Sequence, residues 1–228
     1  MLNINAAIAT ISEISSIKDF DNIKEIEEKI IFLNEQFLQF KKIEPEYFWV
    51  REKSYKVLEV SFETKDFYNR QTNLPCVEEV YTQGYSGEIL RYYLVDDSKA
   101  ISSAEKALVE QLLESGGAFV NVHLELIFVL KSLANKMAIF HESGHIKFMR
   151  EGAYKKVAYK SESSYDAYIS EEIYADNWGI ANLDPEDRAE GIKECIKDYL
   201  NIDKIQTSLF HFPRIMNLWE KYKEAVSA

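Results

Sequence analysis

The apolar residues of this chain change their spacing along its length, and that change limits the possible folds more than any other feature. From Ile11 to about Lys42 they recur every three or four positions, at Ile17, Phe20, Ile23, Ile26, Ile30, Leu33, Phe37 and Phe40, with no proline or glycine between them. That period lays one apolar stripe along a helix, so one or two amphipathic helices are expected before Pro45. The opening residues MLNINAAIATISEISSIKDF are also read as helix, because they carry no basic start, dense apolar run or small-residue cleavage pattern of an export signal. Beyond residue 55 the period falls to two. KVLEVSFE at 56–63 alternates apolar and polar residues, and VEEVYTQ at 77–83 is linked to EILRYYLV at 88–95 through Gly84, Tyr85, Ser86 and Gly87. These segments predict a strand followed by a hairpin.

After Asp97 helical spacing returns. Ser102 and Glu105 stand three apart as a capping box, and Gly116 and Gly117 supply a stop. Ala118 to Arg150 contains no proline and only one glycine, Gly144, and predicts a buried segment that leads into a helix. A loop from Glu151 to about Ser163 precedes a helix near Tyr165 to Asn182. Asp184-Pro185-Glu186-Asp187 reads as an N-cap, a proline at the first helical position and an acidic first turn, and a last helix is expected from Phe212-Pro213 to about Val226. The whole predicts a single α+β domain over 1–228. A helical and sheet lobe at 1–115 would hold a small antiparallel sheet, and a mainly helical lobe at 116–228 would follow.

Charge and cysteine use narrow the function classes. With 27 Lys+Arg against 38 Asp+Glu the formal charge is −11, which leaves little basic surface to neutralise phosphates and argues against nucleic acid as a partner. The longest nearly apolar stretch, Ala118 to Leu130, is interrupted by Asn121, His123 and Glu125 and is too short to cross a bilayer, so no membrane is expected either. Cys76 and Cys195 have no paired-ligand spacing, which speaks against a disulfide framework or a thiolate zinc site and for a reducing, cytoplasmic compartment.

The chemistry is concentrated in His141-Glu142-Ser143-Gly144-His145, an HExxH motif. On a helix, residues four apart share one face, so both imidazoles can converge on one Zn2+ while Glu142 stands beside its open coordination place. A catalytic zinc takes three protein ligands, so a third donor is required. Glu172 is the preferred candidate and Glu171 its rival. Asp176, four residues past Glu172, lies on the same helical face, where its carboxylate can accept from the non-ligating nitrogen of a zinc histidine.

HESGH followed by Glu172-Ile173-Tyr174-Ala175-Asp176 resembles the HExxH and ExxxD signature of glutamate-zincin metallopeptidases, chiefly over residues 133–183. Cytosolic ImmA/IrrE-like peptidases and bacterial Lit-type phage-exclusion peptidases have comparable arrangements, and His211-Phe212-Pro213-Arg214 is similar to a later segment of some of them, with Phe212 intervening. The resemblance implies a zincin-like fold, a zinc cofactor and a protein substrate, with stress response or phage defence as the setting. Glu142 would act as the general base on a zinc-activated water. A second electrophile is needed for the oxyanion. His211, at the start of the predicted last helix, is the candidate, with Arg214, Tyr168 and Tyr174 as alternatives.

Other signals carry less. His123-Leu124-Glu125 matches the HxE of zinc deaminases but lacks a downstream PCxxC, and is read as a core or partly buried pair. Tyr154, Tyr159, Tyr165, Tyr168 and Tyr174 are assigned mainly to packing, and the strands ahead of the HExxH helix could present an edge to an extended peptide, though the sequence assigns no particular edge. Zinc-dependent hydrolysis of an intracellular protein is therefore the leading expectation. Its alternatives are a regulatory or interaction protein with a structural zinc, and a zinc amidase acting on a small molecule.

Overall fold

The structure is a computed structural model that describes residues 2–17, 20, 22–45, 62–152, 164–200 and 205–227. Its first helices are α1 (Ile4–Ser16) and α2 (Ile23–Ile43), opened by Asn3 and Asn22, whose side chains accept from the backbone N–H groups of Ala6 and Glu25. The stripe read from the sequence is the buried face of α2: Ile26, Ile30, Leu33, Phe37 and Phe40. Next come α3 (Phe62–Thr72), β1 (Val77–Gln83), β2 (Ile89–Val95), α4 (Ser103–Glu114), β3 (Ala118–Asn121) and β4 (Leu126–Leu130). The described chain continues with α5 (Lys136–Arg150), α6 (Ser164–Asn182), α7 (Arg188–Tyr199), α8 (Ile205–Phe210) and α9 (Phe212–Ser227).

The molecule is α+β, mostly helical, with one four-stranded sheet among the described residues. Its order is β1-β2-β4-β3, with β1–β2 and β3–β4 antiparallel but β2–β4 parallel. The sheet is thus mixed, a correction to the antiparallel expectation. The physical reason is the long connection through α4 and β3, which lets β4 return beside β2 in the same direction, as a hairpin turn cannot. Because β3 and β4 follow residue 115, the sheet draws on both halves of the chain.

Central strand β4, LIFVL, is apolar throughout because both sheet faces are covered. Against one face Tyr93, Val95, Phe128 and Leu130 pack with Leu108 and Leu112 of α4. On the other, Tyr92, Ile127 and Val129 pack with Ile139 and Ile146 of α5. Such a strand lacks the alternation by which strands are read, which is why it was foreseen only as a buried segment.

Three local expectations are corrected. Of the strand expected at 56–63, residues 56–61 lie outside the described residues, while Phe62 and Glu63 begin α3. His123 and Glu125 are exposed in the β3–β4 turn, where Glu125 adopts φ 54° and forms an ion pair with Arg150. Pro185 opens a short 3-10 turn (Pro185–Asp187), so α7 starts only at Arg188, and the Asp184 carboxylate takes a hydrogen bond from Lys136 (2.8 Å) instead of capping. Tyr154 and Tyr159 lie outside the described residues.

The chain divides into two compact units, one formed by Met1–Glu52, Ser161–Ile173 and Pro185–Ala228, the other by Lys53–Lys160 and Tyr174–Asp184. In the first, Phe212, Ile215, Leu218, Trp219 and Tyr222 form the buried stripe of α9, with Phe212 stacked on Phe37 of α2. The second holds the sheet and α3, α4 and α5. No described helix is long and apolar enough to cross a membrane.

The capping box read from the sequence is present: Ser102 Oγ accepts from Glu105 N (3.3 Å) and Glu105 Oε2 accepts from Ser102 N (2.7 Å). Ser102→Ala should lower unfolding stability by about 1 kcal/mol, the usual worth of such a cap. Urea denaturation followed by circular dichroism would read the shift, and an unchanged midpoint would remove the cap's assigned role.

Candidate metal centre

HESGH sits in the middle of α5. Asn135 starts that helix by accepting from Ala138 N (2.8 Å), and Lys147 and Arg150 occupy its last turn, where cations suit the negative end of the helix dipole. His145 is buried and His141 and Glu142 are half-buried; the two histidines point away from the face of α5 that packs on the sheet through Ile139 and Ile146, while Glu142 lies towards the edge of that face.

Helix α6 comes unusually close to α5. A Cβ on Gly144 would lie 2.7 Å from Ala175 Cα, and one on Gly179 would lie 2.7 Å from Met137 Sδ. Only glycine permits the first approach without backbone movement. Trp178 Nε1 donates to Ser143 Oγ (3.0 Å), which donates to the Phe140 carbonyl (2.8 Å), and the Lys147 ammonium lies 3.8 Å over the Trp178 ring. At the far end of α6, Asn182 accepts from Ser86 Oγ (2.6 Å) through Oδ1 and from Tyr85 N (3.0 Å) through its carbonyl. The β1–β2 turn is thereby held on the last turn of α6, with Gly84 close against the Asn182 side chain.

This packing delivers Asp176 to His141. Asp176 is 1% exposed, and its Oδ1 lies 2.9 Å from His141 Nδ1. A carboxylate only accepts, so Nδ1 carries the hydrogen and the lone pair of the neutral ring is on Nε2. That nitrogen stands 3.3 Å from His145 Nε2, with the two rings nearly perpendicular. Two nitrogens each about 2.0–2.1 Å from one tetrahedral ion stand about 3.3 Å apart, so the spacing suits shared zinc ligation. Glu172 is one helical turn before Asp176 on α6, and the ligand atoms of His141, His145 and Glu172 lie within 4.8 Å of one another. Among the described residues this is the group of metal-ligating side chains that meets that spacing. Two imidazoles and a carboxylate are the donor chemistry of a three-ligand zinc site, so the residues present fit the ion.

Glu171, the rival ligand, is also buried but is not in the group. Glu172 has its own partners. Arg214 Nη1 is 3.0 Å from Glu172 Oε2, and Tyr168, one turn earlier on α6, is hydrogen-bonded to Glu172. Burial first, and the Glu172 charge second, push the Tyr168 phenol well above its ordinary range, so it stays protonated. Tyr174 donates to Glu151 (2.6 Å), and burial followed by that bond pushes its phenol up as well.

His211 joins α8 to α9, its carbonyl accepting from Arg214 N (2.9 Å) and its ring stacked on Tyr199 at 5.8 Å. It is not one of the three grouped donors. Sequence reasoning named Arg214 only as an alternative oxyanion donor and missed its pairing with Glu172. The available signal was its place in the first turn of a helix, where a cation needs a nearby anion. The Ser143–Trp178 bond had no sequence signal.

Comparisons with family models, with curated proteins and with solved structures find no match for the chain. Gly144→Ala should destabilise the protein by about 1–3 kcal/mol, the usual range for overpacking, despite the better helix propensity of alanine. Equal or higher stability in urea unfolding would show that α5 and α6 do not need this close approach.

Proposed function

We propose that the chain is a zinc-dependent metallopeptidase that hydrolyses peptide bonds of a protein substrate. The observation that carries the reading is the pairing of His141 with Asp176 at 2.9 Å while its other ring nitrogen faces His145 Nε2 at 3.3 Å. A carboxylate that fixes the tautomer and orientation of a ligating histidine is a recurrent support for zinc. HESGH followed by ExxxD, which resembles the glutamate-zincin signature, supports the choice of reaction.

Bound zinc would supply Lewis acidity to a substrate carbonyl and to the water that attacks it. The chain's residues then have distinct tasks. His141, His145 and Glu172 hold the ion, and Asp176 keeps the His141 lone pair on Nε2. Glu142, half-buried and next to His141 on α5, takes the proton of the attacking water and passes it to the departing amine. His211, in the turn before α9, is the candidate to donate to the oxyanion, with Arg214, Tyr168 and Tyr174 as alternatives. Among the described strands β3 lies at an edge of the sheet and packs beside α5, and an extended peptide could bind by adding to it. The absence of a disulfide between Cys76 and Cys195 and the charge of −11 support a cytoplasmic setting and a peptide in preference to a polyanion.

Glu142→Gln should retain stoichiometric zinc and lose cleavage, whereas His141→Ala and Glu172→Ala should lose the metal. Zinc analysis, joined to a comparison of cellular proteins cleaved on expression of the wild type and of Glu142→Gln, tests both. Full cleavage by Glu142→Gln would remove the proposed base. One bound zinc with no difference in cleavage would favour a structural metal in an interaction protein.

A further inference from the structure

We infer that Arg214 is a positioning residue for Glu172, holding its carboxylate in the orientation in which it would serve as a metal ligand. The inference rests on the metal-centre reading above and concerns how the third ligand is oriented.

Arg214 is 4% exposed and Glu172 7%. Nη1 approaches Glu172 Oε2 at 3.0 Å, Nη2 donates to the Tyr199 hydroxyl, and the guanidinium carbon lies 4.3 Å from the centre of the Tyr199 ring. The guanidinium is thus held on three sides: an ion pair, a hydrogen bond and a π face. Its location is costly without such partners. Arg214 is in the first turn of α9, where the helix dipole presents its positive end, and burial removes the water that would otherwise screen it. Glu172 supplies a compensating anion at that position.

The consequence falls on the ligand. A guanidinium is planar and its N–H groups point in fixed directions, so with Nη2 engaged by Tyr199 the direction from which Nη1 meets Glu172 Oε2 is set, which restricts where the Glu172 carboxylate can sit. Tyr168, hydrogen-bonded to Glu172 from one turn away on α6, limits the remaining rotation. A lysine at 214 would keep the charge but not the planar constraint.

The test uses the full-length protein with Zn2+ affinity measured by chelator competition and the Co2+-substituted site read by its visible absorption. Arg214→Leu should weaken zinc binding by about 10–100-fold, the usual effect of losing a residue that orients a ligand. It should also change the Co2+ spectrum. Arg214→Lys should fall between it and the wild type in both readouts. Unchanged or tighter zinc binding with an unaltered Co2+ spectrum in folded Arg214→Leu overturns the inference, since a purely structural arginine would alter stability alone. If Arg214→Leu does not fold, Arg214→Lys decides: wild-type affinity and spectrum overturn the inference equally. A wild type that takes up no zinc, and so matches His141→Ala, sinks the metal reading and this inference together. Zinc uptake by the wild type with indifferent Arg214 variants sinks this inference alone.

Discussion

The geometry of the candidate site depends on how closely α5 and α6 pass. Each helix offers a glycine to the other, Gly144 against Ala175 and Gly179 against Met137, and the order of these contacts shows the two running in opposite senses. A hydrogen bond such as that between His141 and Asp176 tolerates only a few tenths of an ångström before it weakens. A methyl group at Gly144 would demand a larger displacement than that. The glycine inside HESGH is therefore a packing requirement as well as a spacer between histidines, and the Ser143–Trp178 bond holds the same seam from the side.

Burying acids is the second constraint. Glu171, Glu172 and Asp176 all lie below a tenth exposed on one stretch of α6, an arrangement that costs several kcal/mol per ion unless each charge is compensated. Asp176 is answered by His141, and Glu172 by Arg214 and Tyr168. Buried pairs of this sort add little net stability against well-packed apolar residues, but each fixes the orientation of its partner. Of the side chains so held, His141 and Glu172 are two of the three whose ligand atoms lie within 4.8 Å of one another.

Much of the helical framework was legible because its causes are local. The stripe of α2, the Ser102–Glu105 box, the hairpin of β1 and β2 and the extent of α6 each follow from neighbours within a few positions. What failed was non-local. β4 hid because a strand covered on both faces loses its alternation, and the parallel β2–β4 pairing depends on how the chain returns through α4. Asp184 was misread as a cap because Lys136, 48 positions earlier, claims its carboxylate. The exposed position of His123 was missed because the tight β3–β4 turn carries it outward.

For the candidate site, sequence alone determined which groups could act. Two histidines four apart on a helix must share a face, and Glu172 and Asp176 must share one on the next helix, because helical periodicity admits no other arrangement. Only the tertiary structure decided which partners those groups meet: that Asp176 accepts from His141, that Glu172 and not Glu171 joins the histidines, and that Arg214 engages Glu172. Periodicity constrains residues one or two turns apart. Pairings between distant segments are set by helix packing distances and by the need to compensate buried charge, which no local pattern encodes.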